Sequence, residues 1–531
     1  MSKLVLAEKP SVAQALSKVL GATRRGDGYL EGNGYVVSWC VGHLVELAPP
    51  EAYGEQYKKW RREDLPIFPE PFQYRISAAT KKQFEILKKL MAREDVESLV
   101  CATDAGREGE LIFRLVYHQC RCRKPFERLW ISSMEDSAIR EGFKNLRPSS
   151  EYDALYEAAL CRERADWIVG INATRLFSCL YGTTLNTGRV MSPTLAMAVE
   201  REAAIAAFQP EAFYQVQLCF DGFSVSGERM KNCEEAENLV ASCRREGSAR
   251  TGKIVQTERT EKPPALYDLT TLQREANRVL GYTAQQTLDY VQALYEKKLV
   301  TYPRTDSKFL TEDMAKMLPE LATVTAAACF PEAGTVSANA GQVINSKKVT
   351  DHHAIIPTKE VQNYSISDLP KGELEILKLT AKRLLTAVSA PCRYAETTVE
   401  IFCGGTAFKA KGKTVLSAGW KEIEEKCGSK KKKEKENILP HLQENTTLPL
   451  LSAEVKEGKT TPPKHFTEDT LLQSMETAGA DEMPDEAERK GLGTPATRAG
   501  IIEKLVQKGF LERRGDKKTR YLIPTQKGLL W

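Results

Sequence analysis

The chain has 531 residues, of which 42% are hydrophobic and 28% are charged, so it can form roughly three or four domains and global disorder is excluded. Its formal net charge of +5 is too small to identify a polyanion as the partner, although a basic patch on a balanced surface still binds nucleic acid. The sequence contains no apolar run of about 18 residues, which excludes a membrane-spanning helix, and its N-terminus lacks the layout of a signal peptide.

Residues 1–150 alternate strand-like and helix-like segments. The apolar run 3–7 predicts a strand, and Pro10–Leu20 follows it with helical spacing and a proline at a helix-start position. A second buried strand is predicted over 98–103 and a helix over 108–118. This alternation predicts a mainly parallel sheet covered on both faces, with functional groups gathered beyond the carboxyl ends of its strands.

The remainder of the chain changes character several times. A helical pattern covers 151–208, and β-like patterns cover 211–262 and 395–420. We expect the two β-like stretches to pair in one sheet. The block 263–392, called the inserted block below, is predicted to be helical, and its Ala- and Gly-rich part 322–341 is predicted to be a loose connection.

A weak internal repeat relates 287–299 to 498–510. Each copy resembles the second helix of a helix-turn-helix unit running into a strand. The first copy is preceded by a predicted helix that ends near Gly281, and Thr283 and Gln286 have the spacing of a capping box. Such units bind DNA or serve only for packing, so the repeat leaves both alternatives open.

Cysteines and lysines give two further indications. Thirteen cysteines are scattered without a Cys-x-x-Cys, which argues against a disulfide framework and a zinc ribbon and indicates a reducing cytoplasm. Four consecutive lysines occupy 430–433, where a solvated loop is favoured over a phosphate contact.

An acidic segment directly follows the second predicted strand. Gly106 allows a sharp turn and a helix begins near Glu108, so Asp104 and Glu108 can converge at the carboxyl edge of the sheet. Hard oxygen ligands of this kind suit Mg²⁺. On this segment alone, the favoured alternative is that Asp104 caps the helix while Glu108 and Glu110 interact with its dipole.

Glu8 and Lys9 follow the first predicted strand and lie beside Asp104 if the two strands are neighbours. A carboxylate next to an ammonium group can serve a phosphoryl site, in which the acid binds metal or moves a proton and the lysine holds phosphate. In isolation, a surface ion pair at a helix start is the more ordinary interpretation.

Tyr302 precedes Arg304 by two residues, just past a predicted helix. A tyrosine nucleophile can attack a phosphodiester, and the guanidinium would ease its deprotonation and neutralise charge in the transition state. Most of the 18 tyrosines are packing residues, so this pair alone proves nothing.

Two of only six histidines, His352 and His353, are adjacent. They lack a third metal ligand at a usual spacing, so holding phosphate or acting on a proton near Tyr302 is the better-supported role.

Taken together, these segments resemble the type IA DNA topoisomerases, in particular the bacterial topoisomerase III branch. The motifs occur in the family's order: Ala-Glu-Lys-Pro-Ser from residue 7, Thr-Asp-x-x-Arg-Glu-Gly-Glu from 103, Gly-Arg-Val from 188, Thr-Tyr-Pro-Arg-Thr-Asp-Ser from 301 and His-His-Ala-Ile-Ile-Pro-Thr from 352. The resemblance extends from about residue 3 to about residue 528.

The resemblance implies an α/β Toprim domain plus mainly helical and β domains that form a toroidal arch around a hole large enough for a DNA duplex. Four domains are expected: 1–150 as Toprim domain I, 151–210 with 461–531 as helical domain IV carrying a DNA-binding groove, 211–262 with 393–460 as β-rich hinge domain II, and 263–392 as domain III carrying the nucleophilic tyrosine.

The family's chemistry implies a role for each matching residue. Tyr302 would form a 5′-phosphotyrosine link and leave a free 3′-hydroxyl, and Arg304 would bind the scissile phosphate. Glu8 would sit near the leaving 3′-oxygen as metal ligand or proton donor, Lys9 would contact phosphate, and His352 matches a phosphate-side histidine. Contacts with single-stranded DNA are implied for Trp60, Arg162, Asp166, Trp167, Arg175, Asn186, Thr187, Gly188, Arg189, Val190, Met191 and Arg304.

Three departures from the family pattern bear on these expectations. The resemblance implies Mg²⁺ held by Glu8, Asp104 and Glu108, but Gly106 replaces a second Asp, which favours one metal ion over two. Met191 stands where Gln is usual, which would alter one DNA contact. The chain stops at Trp531 where family members continue, so a truncated form with weaker strand capture is expected.

We therefore expect an ATP-independent, Mg²⁺-dependent type IA topoisomerase that cleaves one strand, passes another strand or a duplex, and reseals. It would relax negative supercoils and unlink DNA. The absence of a G-x-x-x-x-G-K-[ST] loop from the sequence agrees with this. A monomer without membrane contact, in the bacterial cytoplasm at the nucleoid, is expected. The alternatives are another Toprim enzyme, such as a nuclease or primase, and a catalytically weakened DNA-binding relative.

Overall fold

The computed structural model describes residues 1–428, 437–480, 491–516 and 518–530, so the lysine run 430–433 lies outside the described residues. The helices are α1 (Pro10–Leu20), α2 (Lys81–Ala92), α3 (Arg107–Gln119), α4 (Asp136–Lys144), α5 (Asp153–Tyr181), α6 (Met191–Ala207), α7 (Cys233–Glu246), α8 (Leu269–Leu280), α9 (Ala284–Glu296), α10 (Leu318–Cys329), α11 (Lys371–Ala387), α12 (Trp420–Lys426), α13 (Glu468–Thr477), α14 (Pro495–Gln507) and α15 (Gln526–Leu530). Within the described ranges, none of these helices is both long and apolar enough to cross a bilayer.

The strands are β1 (Ser2–Ala7), β2 (Arg24–Gly26), β3 (Tyr29–Gly32), β4 (Tyr35–Trp39), β5 (Val45–Leu47), β6 (Tyr74–Ile76), β7 (Val96–Ala102), β8 (Phe126–Arg128), β9 (Arg147–Pro148), β10 (Ala212–Phe220), β11 (Phe223–Ser226), β12 (Ser248–Glu261), β13 (Cys392–Cys403), β14 (Thr406–Ser417), β15 (Thr447–Pro449), β16 (Ser452–Lys459), β17 (Leu511–Gly515) and β18 (Arg520–Pro524).

A seven-stranded sheet with the order β2-β3-β4-β1-β7-β8-β9 forms the N-terminal part. Its four central strands are parallel and its outer strands are antiparallel. Alternate residues of β1 enter different cores: Val5 packs in the core that contains α1, whereas Leu4 packs in the core that contains α2 and α3. The central strand is therefore buried on both faces, as its continuous apolar run predicts.

The β-like stretches form two sheets instead of the predicted single one. β12 pairs with β13 in the order β14-β13-β12-β15, so the two stretches do meet. However, β10 belongs to a separate three-stranded sheet with β11 and β16. The unpredicted helix α7 follows β11, and its residues Ala236, Val240 and Cys243 are buried in a core shared by both sheets. The helix therefore provides a common apolar layer for the two sheets.

The inserted block is helical, but the prediction of a loose connection over 322–341 is wrong for its first part. Helix α10 runs to Cys329, because alanine is a strong helix former and Leu321, Ala322 and Ala326 are buried. The predicted capping box at the start of α9 is present, with Thr283 and Gln286 as its two members.

The two copies of the repeat continue differently. A strand, β17, follows α14 as expected. After α9, by contrast, Val300 makes only an isolated bridge to Pro357. The chain therefore leaves the first copy as an irregular segment, and this segment carries Tyr302.

Candidate active site

The carboxyl ends of β1 and β7 bring two acidic side chains together. Ala7 pairs with Ala102 in parallel register, so Glu8 and Asp104 leave the sheet at the same edge. The backbone N–H of Asp104 donates to Oε2 of Glu8 at 3.1 Å. The two side chains form what we call the acidic rim, and they are only 5% and 7% exposed.

The acidic rim holds two carboxylates under mutual repulsion. Burial, and then the charge of Asp104, raises the pKa of Glu8 from 4.5 to about 7. Burial also raises the pKa of Asp104, while the charge of Arg304 lowers it. Nη1 of Arg304 lies 3.4 Å from Oδ2 of Asp104. Asp104 is therefore an ion-pair partner and not the cap of α3, which begins after Gly106 without a side-chain cap.

Tyr302 lies against this rim. It is 4% exposed, its backbone N–H donates to the carbonyl of Ser132 at 2.7 Å, and its ring contacts that of His352 with centroids 4.2 Å apart. A Cβ atom added at Gly106 would lie 4.0 Å from the Tyr302 hydroxyl oxygen. Burial and then the charge of Asp104 raise the pKa of Tyr302, and the Arg304 guanidinium opposes this shift. The phenol of the inserted block and the acids of the sheet thus share one site.

The Arg304 guanidinium contributes a buried N–H donor to this site. Its Nε is buried and has no hydrogen-bond partner within the described ranges of the chain. A buried donor without an acceptor is costly, and an anionic oxygen would satisfy it with a charge-assisted hydrogen bond. The guanidinium therefore suits a phosphate placed between Tyr302 and Asp104.

His352 is packed into the protein. Nδ1 lies 2.7 Å from Oγ of Ser132, Nε2 contacts the carbonyl oxygen of Ala105, and the ring stacks on Trp130 with centroids 5.8 Å apart. Burial lowers the pKa of His352 to about 4, so the ring is neutral at neutral pH. Both ring nitrogens therefore have polar partners within the protein, and the ring packs against that of Tyr302.

The third predicted metal ligand is paired with a histidine outside the acidic rim. Glu108 is exposed, and its Oε1 is 2.5 Å from Nε2 of His43, which lowers the pKa of Glu108. Throughout the part of the chain that the structure describes, no three His, Cys, Asp or Glu side chains are arranged to hold a metal ion. The pair Glu8 and Asp104 still fits Mg²⁺, which is commonly bound through one or two carboxylates and retains several waters.

The predicted DNA loop lies along helix α5. Nε of Arg189 is 2.9 Å from Oδ1 of Asp166, and the N–H of Thr187 donates to Oγ1 of Thr174 at 2.9 Å. Burial and then the charges of Arg107 and Arg189 lower the pKa of Arg162. Arg107, Arg162 and Arg189 therefore lie within electrostatic reach of one another beside the loop, and positive groups there suit a polyanion.

Other members of the predicted DNA-binding set are less accessible. Trp60 is 43% exposed, but Arg175 is buried beneath it, 5.5 Å from the ring centre, and donates to the carbonyl of Tyr57. Trp167 donates through Nε1 to the carbonyl of Ala48. Met191 is packed in the core, like Val190. Trp60 thus provides the open aromatic surface, and Asn186 and Gly188 remain partly exposed on the loop.

Several residues that shape the site were not predicted as site residues from the sequence. His43 was detectable only as one of six histidines, and nothing near Ser132 or Trp130 indicated a role. Glu296 carries no motif, yet it contacts Lys9 across the interface between the inserted block and the sheet. The contacts of Ser132 and Glu296 span more than 200 residues, so local patterns could not reveal them.

The raised pKa of Glu8 predicts a pH-dependent stability difference. Without metal, Glu8→Gln is expected to be more stable than the unchanged protein at about pH 8.5, by on the order of 2 kcal/mol, and nearly equal to it at about pH 4.5. The reason is that the stability linked to Glu8 protonation is complete below 4.5 and is lost as the pH rises through about 7. Melting temperatures in chelator-containing buffers measure this. Glu97→Gln, an exposed carboxylate on β7, is the control, and a gap that does not vary with pH would contradict the prediction.

Comparisons with known proteins agree with this architecture. A family profile described as Toprim domain matches residues 3–134, and one described as DNA topoisomerase matches 150–530. The DNA topoisomerase 3 of Bacillus subtilis (strain 168) is 43% identical over 97% of this chain and 74% of its own length. That of Bacillus licheniformis is 42% identical over 100% and 75%. The full-length topoisomerase I from Thermotoga maritima shares the fold, with a TM-score of 0.74 at 22% identity over 98% of this chain and 81% of that one.

Proposed function

The chain belongs to the type IA DNA topoisomerase family, and from this premise we propose that Tyr302 is the nucleophile with which it breaks a single DNA strand. Its fold combines a Toprim domain with the type IA topoisomerase architecture, and its function is that of a topoisomerase. The observation that carries the proposal is the position of the phenol, buried beside both Arg304 and the acidic rim.

In the proposed cleavage step, the hydroxyl group of Tyr302 loses its proton to solvent water, and its oxygen attacks the phosphorus. The new bond is a 5′-phosphotyrosine, and the bond from phosphorus to the 3′-oxygen breaks. Arg304, whose Nε has no hydrogen-bond partner among the described residues, binds the phosphate and offsets its growing charge. Glu8 lies at the leaving 3′-oxygen in one of two alternative roles: as a metal ligand, or, without bound metal, as a proton donor whose pKa of about 7 leaves a protonated fraction at neutral pH. Resealing is the reverse, so no other energy source is needed.

Mg²⁺ would be held by Glu8 and Asp104, with Glu108 as the third candidate. Two buried carboxylates with raised pKa values fit a divalent cation, because the cation offsets their burial and the charge of Asp104 that acts on Glu8. When bound, the ion supplies positive charge for the phosphate and the leaving oxygen. The number of metal ions is expected to be one, because Gly106 provides no carboxylate.

Single-stranded DNA is proposed to run from Trp60 along α5 and the loop 186–191 to Tyr302. Trp60 would stack on a base, and Arg162 and Arg189 would contact phosphates.

The remaining assignments are proposals of the same kind: the four domains with the boundaries given above, action as a monomer without ATP, passage of a second strand or duplex, and a nucleoid location.

A trapping experiment tests the nucleophilic mechanism. Single-stranded DNA labelled at its 3′ end is incubated with protein and Mg²⁺, and the reaction is quenched with detergent. A labelled protein band supports the 5′-phosphotyrosine link, because the fragment on the 3′ side carries the phosphate. Cleavage without an adduct would support a nuclease, and binding without cleavage would support a catalytically weakened relative.

Gly106→Asp is expected to tighten Mg²⁺ binding by about tenfold. The backbone at Gly106 is extended, and a Cβ there would meet only the Tyr302 hydroxyl at 4.0 Å, so an aspartate fits and adds a third carboxylate near the acidic rim. Mg²⁺ titration followed by calorimetry measures the change without DNA. Gly106→Asn adds a similar volume without charge and serves as the control. Equal affinities of the two variants would argue against a metal site at the rim.

A further inference from the structure

Lys9, the proposed phosphate contact, is held by a carboxylate in this structure. Its Nζ lies 3.3 Å from Oε1 of Glu296, and Oγ of Ser11 donates to Oε2 of the same side chain at 3.0 Å. Glu296 is the last residue of α9, in the inserted block, and it is 287 residues from Lys9 in sequence. The contact therefore joins the inserted block to the N-terminal sheet.

The place that Glu296 occupies has the features of an anion site. Lys9 immediately precedes α1 and Ser11 lies in its first turn, where free N–H groups and the helix dipole favour negative charge. Helix α1 has no acidic residue of its own in the first turn and no side-chain cap. The carboxylate of Glu296 therefore takes the place at the start of this helix that the oxygens of a phosphate would take.

Helix stability does not explain the position of Glu296. A carboxylate at the C-terminal end of its own helix meets the negative end of the dipole, which is unfavourable. Within α9, Nε2 of Gln292 lies 3.2 Å from Oε1 of Glu296, so the side chain is held in one orientation towards Lys9. Lys9 and Glu296 are both partly exposed, so an incoming ligand can reach the pair.

We propose that Glu296 is an internal substitute for a DNA phosphate. Without DNA it occupies Lys9 and Ser11, and a phosphate of the bound strand displaces it. Because the displaced contact joins the inserted block to the sheet, strand binding loosens this interface at the same time. The inference rests on the proposed phosphate contact of Lys9. The proposed displacement couples binding of the DNA strand to loosening of the interface between the inserted block and the sheet. An ion pair that DNA does not displace would provide no such coupling.

The test is the affinity for a single-stranded oligonucleotide, measured by fluorescence anisotropy at low salt without Mg²⁺. Glu296→Gln keeps the shape of the side chain but removes the competing charge, so about two- to fivefold tighter binding is expected. Asp136→Asn is the matched control: it removes the same charge from the Asp136–Lys298 pair, which crosses the same interface and pairs with a different lysine. No gain in affinity is expected for this control.

The outcomes separate this inference from the proposed function. Lys9→Ala should weaken binding, and adding Glu296→Gln to Lys9→Ala should bring no further gain. Equal gains for Glu296→Gln and Asp136→Asn would overturn the inference, because they would indicate a general charge effect. No gain for Glu296→Gln while Lys9→Ala weakens binding would also overturn it and leave the role of Lys9 standing. Unchanged binding by Lys9→Ala would refute that role itself.

Discussion

Tyr302→Phe is expected to abolish the covalent adduct and to reduce relaxation of negatively supercoiled DNA by at least about a thousandfold. The substitution removes one oxygen atom. The ring contacts with His352 and Tyr295, whose centroids lie 4.2 and 5.4 Å away, are kept. Loss of activity would therefore reflect the missing nucleophile and not a rearranged site.

Tyr295→Phe is the matched control for this experiment. Tyr295 is a second buried phenol that packs edge-on against Tyr302, and it precedes the irregular segment at the end of α9. Its variant should still form the detergent-resistant adduct with 3′-labelled DNA. An adduct that survives Tyr302→Phe and disappears in Tyr295→Phe would place the nucleophile on the neighbouring ring and refute the assignment.

Asp104→Asn is expected to lower relaxation in Mg²⁺ on the order of a hundredfold. Asparagine has nearly the same shape, and the backbone N–H that donates to Glu8 is kept. The substitution removes one of the two buried carboxylates of the acidic rim. Its negative charge, which faces Arg304, is lost with it. Resealing should suffer most, because the free 3′-hydroxyl must be realigned with the phosphate. The adduct is therefore expected to accumulate relative to relaxed product.

Relaxation rates over a Mg²⁺ titration, with adduct measured in parallel, test this expectation. Asp153→Asn removes a carboxylate that pairs with Arg114 away from the acidic rim and should leave the rates unchanged. If Asp104→Asn relaxes DNA normally across the titration, Asp104 is not a metal ligand. If Asp104→Asn instead loses relaxation and forms no adduct, the main role of Asp104 is in cleavage and not in resealing.

Local patterns predicted the elements around the site well. Helix α1 has the predicted bounds Pro10–Leu20, and β7 and α3 differ from prediction by one or two residues at each end. These elements have buried apolar runs or clear helical spacing, and the capping box before α9 depends on residues three apart. Each signal lies within a few residues, so it can be read without knowing the fold.

Predictions that depended on distant partners were less successful. The two β-like stretches do pair through β12 and β13, but the first stretch divides between two sheets, because α7 and β16 provide alternative surfaces that the local alternation does not reveal. Residues 322–329 are helical because they are buried against their neighbours, although their composition suggested a loose connection. In both places, tertiary packing decided between conformations that the local sequence permits.

The amino-acid order alone determined which reactive groups the chain carries and that their motifs are those of a topoisomerase. Only the tertiary structure decided which of these groups lie in contact and what their protonation states are. Glu8 acquires its raised pKa from burial beside Asp104, and burial keeps His352 neutral. Lys9 forms an ion pair with Glu296, a residue that belongs to none of the motifs found in the sequence. Distances between charges and their exposure to water set these properties, and both arise only when segments hundreds of residues apart pack together.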